Sequence, residues 1–581
     1  MTIDDIDTAN WRYAAGATGT LQAFNAVDVI EAADVLVAQR LTTLAGETDE
    51  TVALAVAFVV RAVRAGSVCV DLHAIQAQVD RPDLDWPEPA QWLAAVAASP
   101  LLGSPPVMHL EDGLLYFDRY WLEERQVAAD IVTLATTEHG ADKPDTTRLF
   151  PAPFAEQRVA AEIALSRGLT VLTGGPGTGK TTTVARLLAL LAEQADDGSR
   201  RLRIALAAPT GKAAARLQEA VQIEVDKLDE VDRARLPDLR ATTLHRLLGS
   251  RPDTSSRFRH HRDNRLPHDV IVVDETSMVS LTMMARLVEA VRPDSRLVLV
   301  GDPDQLASVD AGAVLADLVD GLSARGDTPV ATLVTSHRFG ASIGALAQAI
   351  REGDADQAVA VLRAGGEHIE WVDTEEPTAA LRSVLVPHAL RLREAAVLGN
   401  GQVALATVDE HRLLCAHRRG PFGVAYWNRQ VERWLAEVTD TPPWATWYAG
   451  RPLLVTANDY GLGLYNGDTG VTVLRDGVLR AVLPGGPVPL EFATSRLADV
   501  ETMHAMTIHK SQGSQAAEVT VLLPEEDSRL LTRELLYTAI TRARTKVRVV
   551  GTAAQLRAAI ERRAVRASGL SRRLRGPGTP S

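Results

Sequence analysis

The chain has 581 residues, is 46% hydrophobic and 23% charged, and carries a formal net charge of −13. This describes an ordinary globular protein of several domains, too long for one core; no apolar run reaches the roughly 18 residues that span a bilayer, so no membrane is expected among its partners. The two cysteines, Cys69 and Cys415, lie far apart without metal-type spacing, which argues against a disulfide framework or zinc site and for two core thiols.

The N-terminus MTIDDIDTAN lacks the basic and apolar regions of a signal peptide, so a cytoplasmic location is expected. Residues 1–145 read as a mostly helical domain. VIEAADVLVAQRL and ETVALAVAFVVRAVRAG carry apolar residues at helical spacing, and 113–132 reads as a short strand running into a helix. No catalytic constellation stands out here, and a scaffold or docking domain is the expectation.

From about residue 146 the texture becomes strand, loop, helix. LTVLTGG (169–175), RIALAAPT (203–210), DVIVVDE (269–275) and RLVLVGD (296–302) are apolar strands ending in small or acidic residues. Such strands belong in a parallel sheet covered on both faces, with chemistry at their C-terminal ends. This predicts a first α/β core over 146–340 with a small insertion at about 216–268. HRLLCAH (411–417), AEVTVLL (517–523) and KVRVVGT (546–552) predict a second core over 341–445 and 501–570. Between its halves, 446–500 alternates with period two and carries Gly, Asn and Asp turns, the pattern of a small inserted β-barrel. The tail SGLSRRLRGPGTPS reads as disordered, with 571–581 set apart on that ground.

Charge is uneven: the first 60 residues hold nine Asp/Glu against two Arg, whereas 540–575 hold eleven Lys/Arg and one Glu. RFRHHRDNR (257–265) is a second basic stretch, a solvated surface or a local nucleic-acid contact.

GGPGTGKTTT (174–183) fits the phosphate-binding loop and follows a strand. Its glycines let backbone N–H groups wrap phosphates at a helix N-terminus, with Lys180 reaching the β- and γ-phosphates and Thr181 holding Mg²⁺. VVDETS puts Asp274 and Glu275 at a strand end, Asp274 for Mg²⁺ through water and Glu275 to orient and deprotonate an attacking water. The bland alternative is an acidic loop edge. In GDPDQL (301–306), Gln305 can sense the γ-phosphate. Arg338 in TSHRFG and Arg542 in YTAITRAR lie beyond the first core, where a facing domain could supply charge to the transferred phosphoryl group.

In order, FAEQR (154–158), GGPGTGKTTT, APTGKAA (208–214), TLHRLLG (243–249), VVDETSM, GDPDQL, SHRF, TIHKSQGSQ (507–515) and LLYTAITRAR resemble the motif series of superfamily 1 helicases in the RecD-type form, over about residues 146–570. NGDTG (466–470) is characteristic of the same branch. GSVCVDL and YFDRYWLEE are similar to the RecD subunit of RecBCD, and the helix-hairpin-helix modules of solitary RecD-like helicases are not found in 1–145.

The resemblance implies a fold of two RecA-like parallel-sheet motor domains, a mostly helical N-terminal domain docking on RecC, and an inserted SH3-like β-barrel. It implies an ATP-hydrolysing 5′→3′ DNA helicase or translocase subunit, working on single- and double-stranded DNA in a heterotrimer with RecB-like and RecC-like subunits, with the nuclease of exodeoxyribonuclease V in a partner. ATP and Mg²⁺ are the implied cofactors. Gln157 would read the adenine edge. Gly174, Gly175, Pro176, Gly177, Thr178, Gly179, Lys180, Thr181 and Thr182 would hold the nucleotide, with Asp274, Glu275, Gln305, Arg338 and Arg542 around it and Thr181 and Asp274 on the metal. Pro209, Thr210, Lys212, Thr243 and His245 would line the single strand on the first core, and Thr507, His509, Lys510 and Ser511 on the second. RFRHHRDNR would belong to the small domain at the duplex junction. A stand-alone RecD-like helicase, a non-motor ATP-sensing subunit and a nucleotide kinase stay as alternatives; the second core weighs against the last.

Overall fold

The computed structural model describes residues 11–140, 144–196, 201–251, 254–326, 328–335, 341–439, 445–459, 461–485 and 488–575. The N-terminal domain is mostly helical. Helix Glu50–Arg64 begins with Asp49 accepting from the Thr51 N–H and buries Val52 and every residue from Leu54 to Val60, so it serves as the domain's central rod. Phe24, Phe58, Trp86 and Trp92 stack and tilt against one another around it, with ring centroids 4.8–6.4 Å apart, and the Trp92 indole donates to the Thr51 carbonyl at 2.7 Å. Burying one such ring is worth about 2 kcal/mol or more. The strand-to-helix reading is met by Leu114–Phe117 leading into helix Asp118–Thr136. That strand is central in a three-stranded antiparallel sheet with Cys69–Asp71 and Met108–Glu111. Cys69 and Cys415 are both free and buried.

The first core is a six-stranded parallel sheet in the order Val330–Leu333, Leu169–Gly174, Arg296–Gly301, Val270–Val273, Ile204–Ala208, Ala241–Thr243. Leu169–Gly174 and Val270–Val273 are buried at every residue, as expected of strands with helices on both faces. Residues 216–268 are therefore not one insertion. Ala241–Thr243 pairs with Leu206–Ala208 as an edge strand of the main sheet, and only the hairpin of Ser250–Arg251 and Thr254–Phe258 forms a separate sheet. Three small or hydroxylated residues gave no apolar signal for that strand.

The second core is a five-stranded parallel sheet in the order Ile369–Val372, Ala543–Val550, Ala516–Leu522, His411–Cys415, Ala505–Thr507. The chain leaves it after Cys415 and returns at Ala505. Between lie five antiparallel strands in the order Leu490–Ala493, Val478–Leu483, Thr469–Arg475, Pro452–Val455, Val500–Thr502.

The tail departs from the expectation of disorder. Leu570–Leu574 is a helix whose Leu570 and Leu574 are fully buried in a cluster with Leu114, Val127, Leu318 and Leu322. Residues 576–581 lie outside the described residues.

Candidate active site

Three strand ends of the first core meet in a cleft of about 690 Å³. The strand Leu169–Gly174 runs into the glycine loop, and Gly177 and Gly179 take φ of +83° and +87°, a region open to glycine at little cost. Gly174 is required for a different reason: a Cβ there would lie 2.7 Å from the Leu333 carbonyl oxygen. Gly179 caps helix Lys180–Gln194, so the loop's N–H groups and the helix dipole face the same space. Lys180 Nζ lies along this loop, donating to the Gly174 and Gly175 carbonyls at 2.6 and 2.9 Å. The Thr178 hydroxyl closes the loop onto the Gly175 carbonyl at 2.9 Å.

Asp274 follows strand Val270–Val273, and burial, with Glu275 beside it, pushes its carboxyl up to about 6. Glu275 has φ +51°, a left-handed conformation that costs a side-chain-bearing residue roughly 1–2 kcal/mol, and its N–H donates to Asp274 Oδ1 at 2.8 Å. Strain of this kind is retained where it aims a functional group. Both acids line the cleft, as do Thr181 and Thr182. A hydroxyl and a carboxylate beside a phosphate cradle form an oxygen donor set suited to a hard cation such as Mg²⁺.

Gln157 is only 4% exposed, donates to the Thr178 carbonyl at 3.4 Å and lines the cleft. Beside it, Arg186 packs its guanidinium 4.5 Å from the Phe154 ring centroid, a flat wall that the motif pattern did not single out.

The second core closes the cleft. Arg542 is 4% exposed and donates from Nη2 to Gln305 Oε1 at 2.8 Å. The Leu306 N–H donates to Thr538 Oγ1 at 2.8 Å, and Gln512 Nε2 donates to the Leu306 carbonyl at 2.7 Å. Arg216 reaches across to the Gly513 carbonyl at 2.8 Å. Arg216, Gln512 and Thr538 were not among the expected site residues. Arg216 had a readable signal, one helical turn beyond Lys212. Arg338 lies outside the described residues.

The residues expected to line a single strand share one local design. Thr243 and Thr507 each end a strand and Thr210 lies two residues past one, and each caps the following helix by accepting from a backbone N–H three residues on, at 3.2 Å. Pro209 directly follows strand Ile204–Ala208. His245 is exposed, edge-on to Phe258, while burial holds His509 below the ordinary histidine range. Lys510 pairs with Glu501 at 2.9 Å.

Two of the set sit differently. Ser511 is 1% exposed and donates to the Ile508 carbonyl at 2.6 Å, which shapes the turn rather than lining a surface. Lys212 donates to the Gly467 carbonyl at 3.4 Å, inside the NGDTG turn, and burial lowers its ammonium to about 7. The inserted sheet thus lies against the first core, where Gly211 leaves room for the Tyr465 ring. Within RFRHHRDNR, Arg262 pairs with Asp130 at 2.6 Å and Arg265 donates to the Val291 carbonyl, so part of that charge is spent internally.

Three family models match the chain: an AAA domain over residues 157–311, a UvrD-like helicase C-terminal domain over 502–550, and the N-terminal domain of the RecBCD enzyme subunit RecD over 26–116. RecBCD enzyme subunit RecD of Mycolicibacterium smegmatis is 71% identical over 559 residues, covering 96% of this chain and 99% of that protein. Its counterpart in Mycobacterium tuberculosis strain H37Rv is 68% identical over 580 residues, with both chains covered completely. The ATP-dependent RecD2 DNA helicase of Deinococcus radiodurans is 32% identical over 485 residues, covering 80% of this chain and 59% of that one.

Proposed function

The chain belongs to the family of the RecBCD enzyme subunit RecD, and from that premise we propose how its residues carry out ATP-dependent DNA unwinding as part of a RecBCD-type enzyme in double-strand-break repair. The observation that carries the reading is the Arg542–Gln305 contact, which brings a cation of the second core to a strand end of the nucleotide-binding core. An arginine supplied across a closing cleft completes a hydrolytic site only when the cores meet, which makes hydrolysis report on domain closure.

In this reading Gly174 to Thr182 cradle the phosphates and Lys180 leaves the loop carbonyls for the β- and γ-oxygens. Glu275 orients the attacking water, Gln305 senses the γ-phosphate, and Gln157 reads the base beside Phe154. Arg542, and Arg338 from the segment outside the described residues, stabilise the charge on the transferred phosphoryl group. Thr181 and Asp274 would hold Mg²⁺, which neutralises charge on the β- and γ-oxygens when bound.

The Thr-capped loops at 210, 243 and 507, with Pro209, His245, His509 and Lys510, would grip the sugar-phosphate backbone without reading bases, as a sequence-blind motor needs. Gln512 joins the 507–515 loop to Leu306, so grip and nucleotide state would change together. Movement is 5′→3′, RecB-like and RecC-like chains are the partners, and the N-terminal domain is the docking unit. The nuclease resides in a partner, the five-stranded insertion is an SH3-like barrel, and the enzyme works in the cytoplasm; all of these follow from the family resemblance. Among the described residues no helix is long and apolar enough to cross a membrane.

The test is Lys180→Gln in the full-length chain, purified with whatever subunits accompany it. Unwinding driven along the 5′-ended strand should be abolished, and unwinding at the unaltered rate would refute the motor reading.

A further inference from the structure

Among the described residues of the first core, the loop Asp302–Leu306 has polar groups of both side chain and backbone gripped across the cleft. The Asp302 carboxylate is 2% exposed. Its Oδ2 accepts from Gln305 Nε2 at 3.0 Å and from the Tyr537 hydroxyl at 3.1 Å, while Oδ1 accepts from the Asp304 N–H at 3.2 Å. The other end of the Gln305 amide, Oε1, accepts from Arg542. An amide held by an acceptor at its nitrogen and a donor at its oxygen has one orientation; loss of either partner lets it turn over. Tyr537 lies on helix Arg533–Ile540, which leads directly to Arg542. Its hydroxyl also stands at the phosphate loop, where a Cβ on Gly175 would be 3.2 Å away.

We propose that Tyr537 is a positioning residue for ATP hydrolysis: its hydroxyl, donated across the closed cleft, holds Asp302, and Asp302 holds the Gln305 side chain in the orientation that Arg542 also requires. A buried carboxylate is costly unless its oxygens receive donors. Burial already pushes the Asp302 carboxyl up, and the hydrogen bonds from Gln305 and Tyr537 oppose that push. Removing the phenol hydroxyl leaves Gln305 as the only side-chain donor, so the carboxylate is free to turn away or take a proton. In either case the Gln305 nitrogen loses its fixed acceptor. Arg542 lies two residues past the helix that carries Tyr537, and its Nε donates to the Thr538 carbonyl at 3.1 Å, so the two arrive and depart together as the cores close and part. Gln305 is then fully oriented only in the closed state.

This inference rests on the ATP-hydrolysing reading of the cleft. The experiment measures single-stranded-DNA-stimulated ATP hydrolysis against ATP concentration for the full-length protein with its co-purifying subunits. The rate of Lys180→Gln in the same preparation is subtracted. Tyr537→Phe, which keeps the ring's bulk, should lower kcat about tenfold while KM for ATP stays within about twofold. Asp302→Asn should fall similarly, because one carboxylate oxygen becomes a donor facing donors. The decisive reading is the double variant: added to Gln305→Ala, Tyr537→Phe should cost nothing more. Multiplied losses in the double variant, an unchanged kcat in Tyr537→Phe, or a change confined to KM would overturn the proposal. If Lys180→Gln keeps the full rate, the ATPase reading falls first and this inference falls with it.

Discussion

Among the described residues, two joints between the second core and the rest of the molecule differ in what holds them. At the nucleotide cleft the contacts are mostly single polar bonds, Arg542 to Gln305, Tyr537 to Asp302, Leu306 to Thr538, Gln512 to Leu306 and Arg216 to Gly513, with the Leu306 side chain also entering the second core's apolar cluster. Each breaks over a fraction of an ångström and is replaced by water at little net cost. At the other joint, the C-terminal segment beyond Glu561 crosses back over the first core to the N-terminal domain. The Val68 N–H donates to Ala567 and the Ala567 N–H to Ser67. Arg573 pairs with Glu124 and Glu111, at 2.9 and 2.7 Å. Leu570 and Leu574 are fully buried, and Leu574 packs so closely on Gly321 that a Cβ there would approach it to 2.7 Å. Dispersion and apolar burial are lost as soon as a gap opens. The first set of contacts suits a joint that cycles and the second a joint that stays shut, and a motor needs both, since opening a cleft moves something only if the far end is anchored.

The largest expected effect separates catalysis from anchoring. Arg542→Ala should lower DNA-stimulated ATP hydrolysis by about 10³-fold or more, while the thermal midpoint of the nucleotide-free protein moves much less than in variants of the C-terminal segment, the strap beyond Glu561. A hydrolysis loss below tenfold would show that Arg542 is a packing residue, and the contrast between the joints would collapse.

Next comes the strap. Leu570→Ala and Leu574→Ala remove side chains from a close-packed cluster, and each should cost about 2–5 kcal/mol. Thermal unfolding should show a large drop in the midpoint, with hydrolysis at low temperature retained within a few-fold. A double variant that melts like the parent would mean the segment merely rests on the surface.

The two joints also differ in how far the sequence reveals them. The cleft was readable because its residues follow apolar strands at fixed offsets: Lys180 after Leu169–Gly174, Asp274 after Val270–Val273, Gln305 after Arg296–Gly301. Local pattern and chemistry agree there. The strap read as disordered because SGLSRRLRG is short, basic and glycine-flanked, and such a segment has no local reason to fold. Its order comes from partners hundreds of residues away, Glu111, Glu124 and Asp320, and from the Gly321 notch, none of which a local window contains. The edge strand Ala241–Thr243 was missed for a related reason, since its pairing with Leu206–Ala208 supplies what its own residues lack. Tyr537 and Gln512 stood inside quoted motifs, yet their roles depend on reaching Asp302 and Leu306 in the other core.

The smallest effect concerns a charge buried under the strap. Asp317, on helix Val314–Ser323, lies beneath Ser568, with Glu124 facing it from helix Asp118–Thr136 and Asp320 on its own helix. Burial, reinforced by those two carboxylates and opposed by the Ser568 hydrogen bond, pushes its carboxyl up to about 7. Its Oδ2 is buried with no hydrogen-bond partner. An ordinary carboxyl titrates near 4, so between about pH 4 and 7 the folded protein holds a proton that the unfolded chain has released. Stability from this group is therefore greatest at low pH, falls as pH rises through that window, and is flat above it. Asp317→Asn keeps the shape without the charge, so at pH 8 it should raise the thermal midpoint by about 2 °C. The gain should shrink towards pH 5. A gain of the same size at both pH values would mean that Asp317 is not charged beneath the strap.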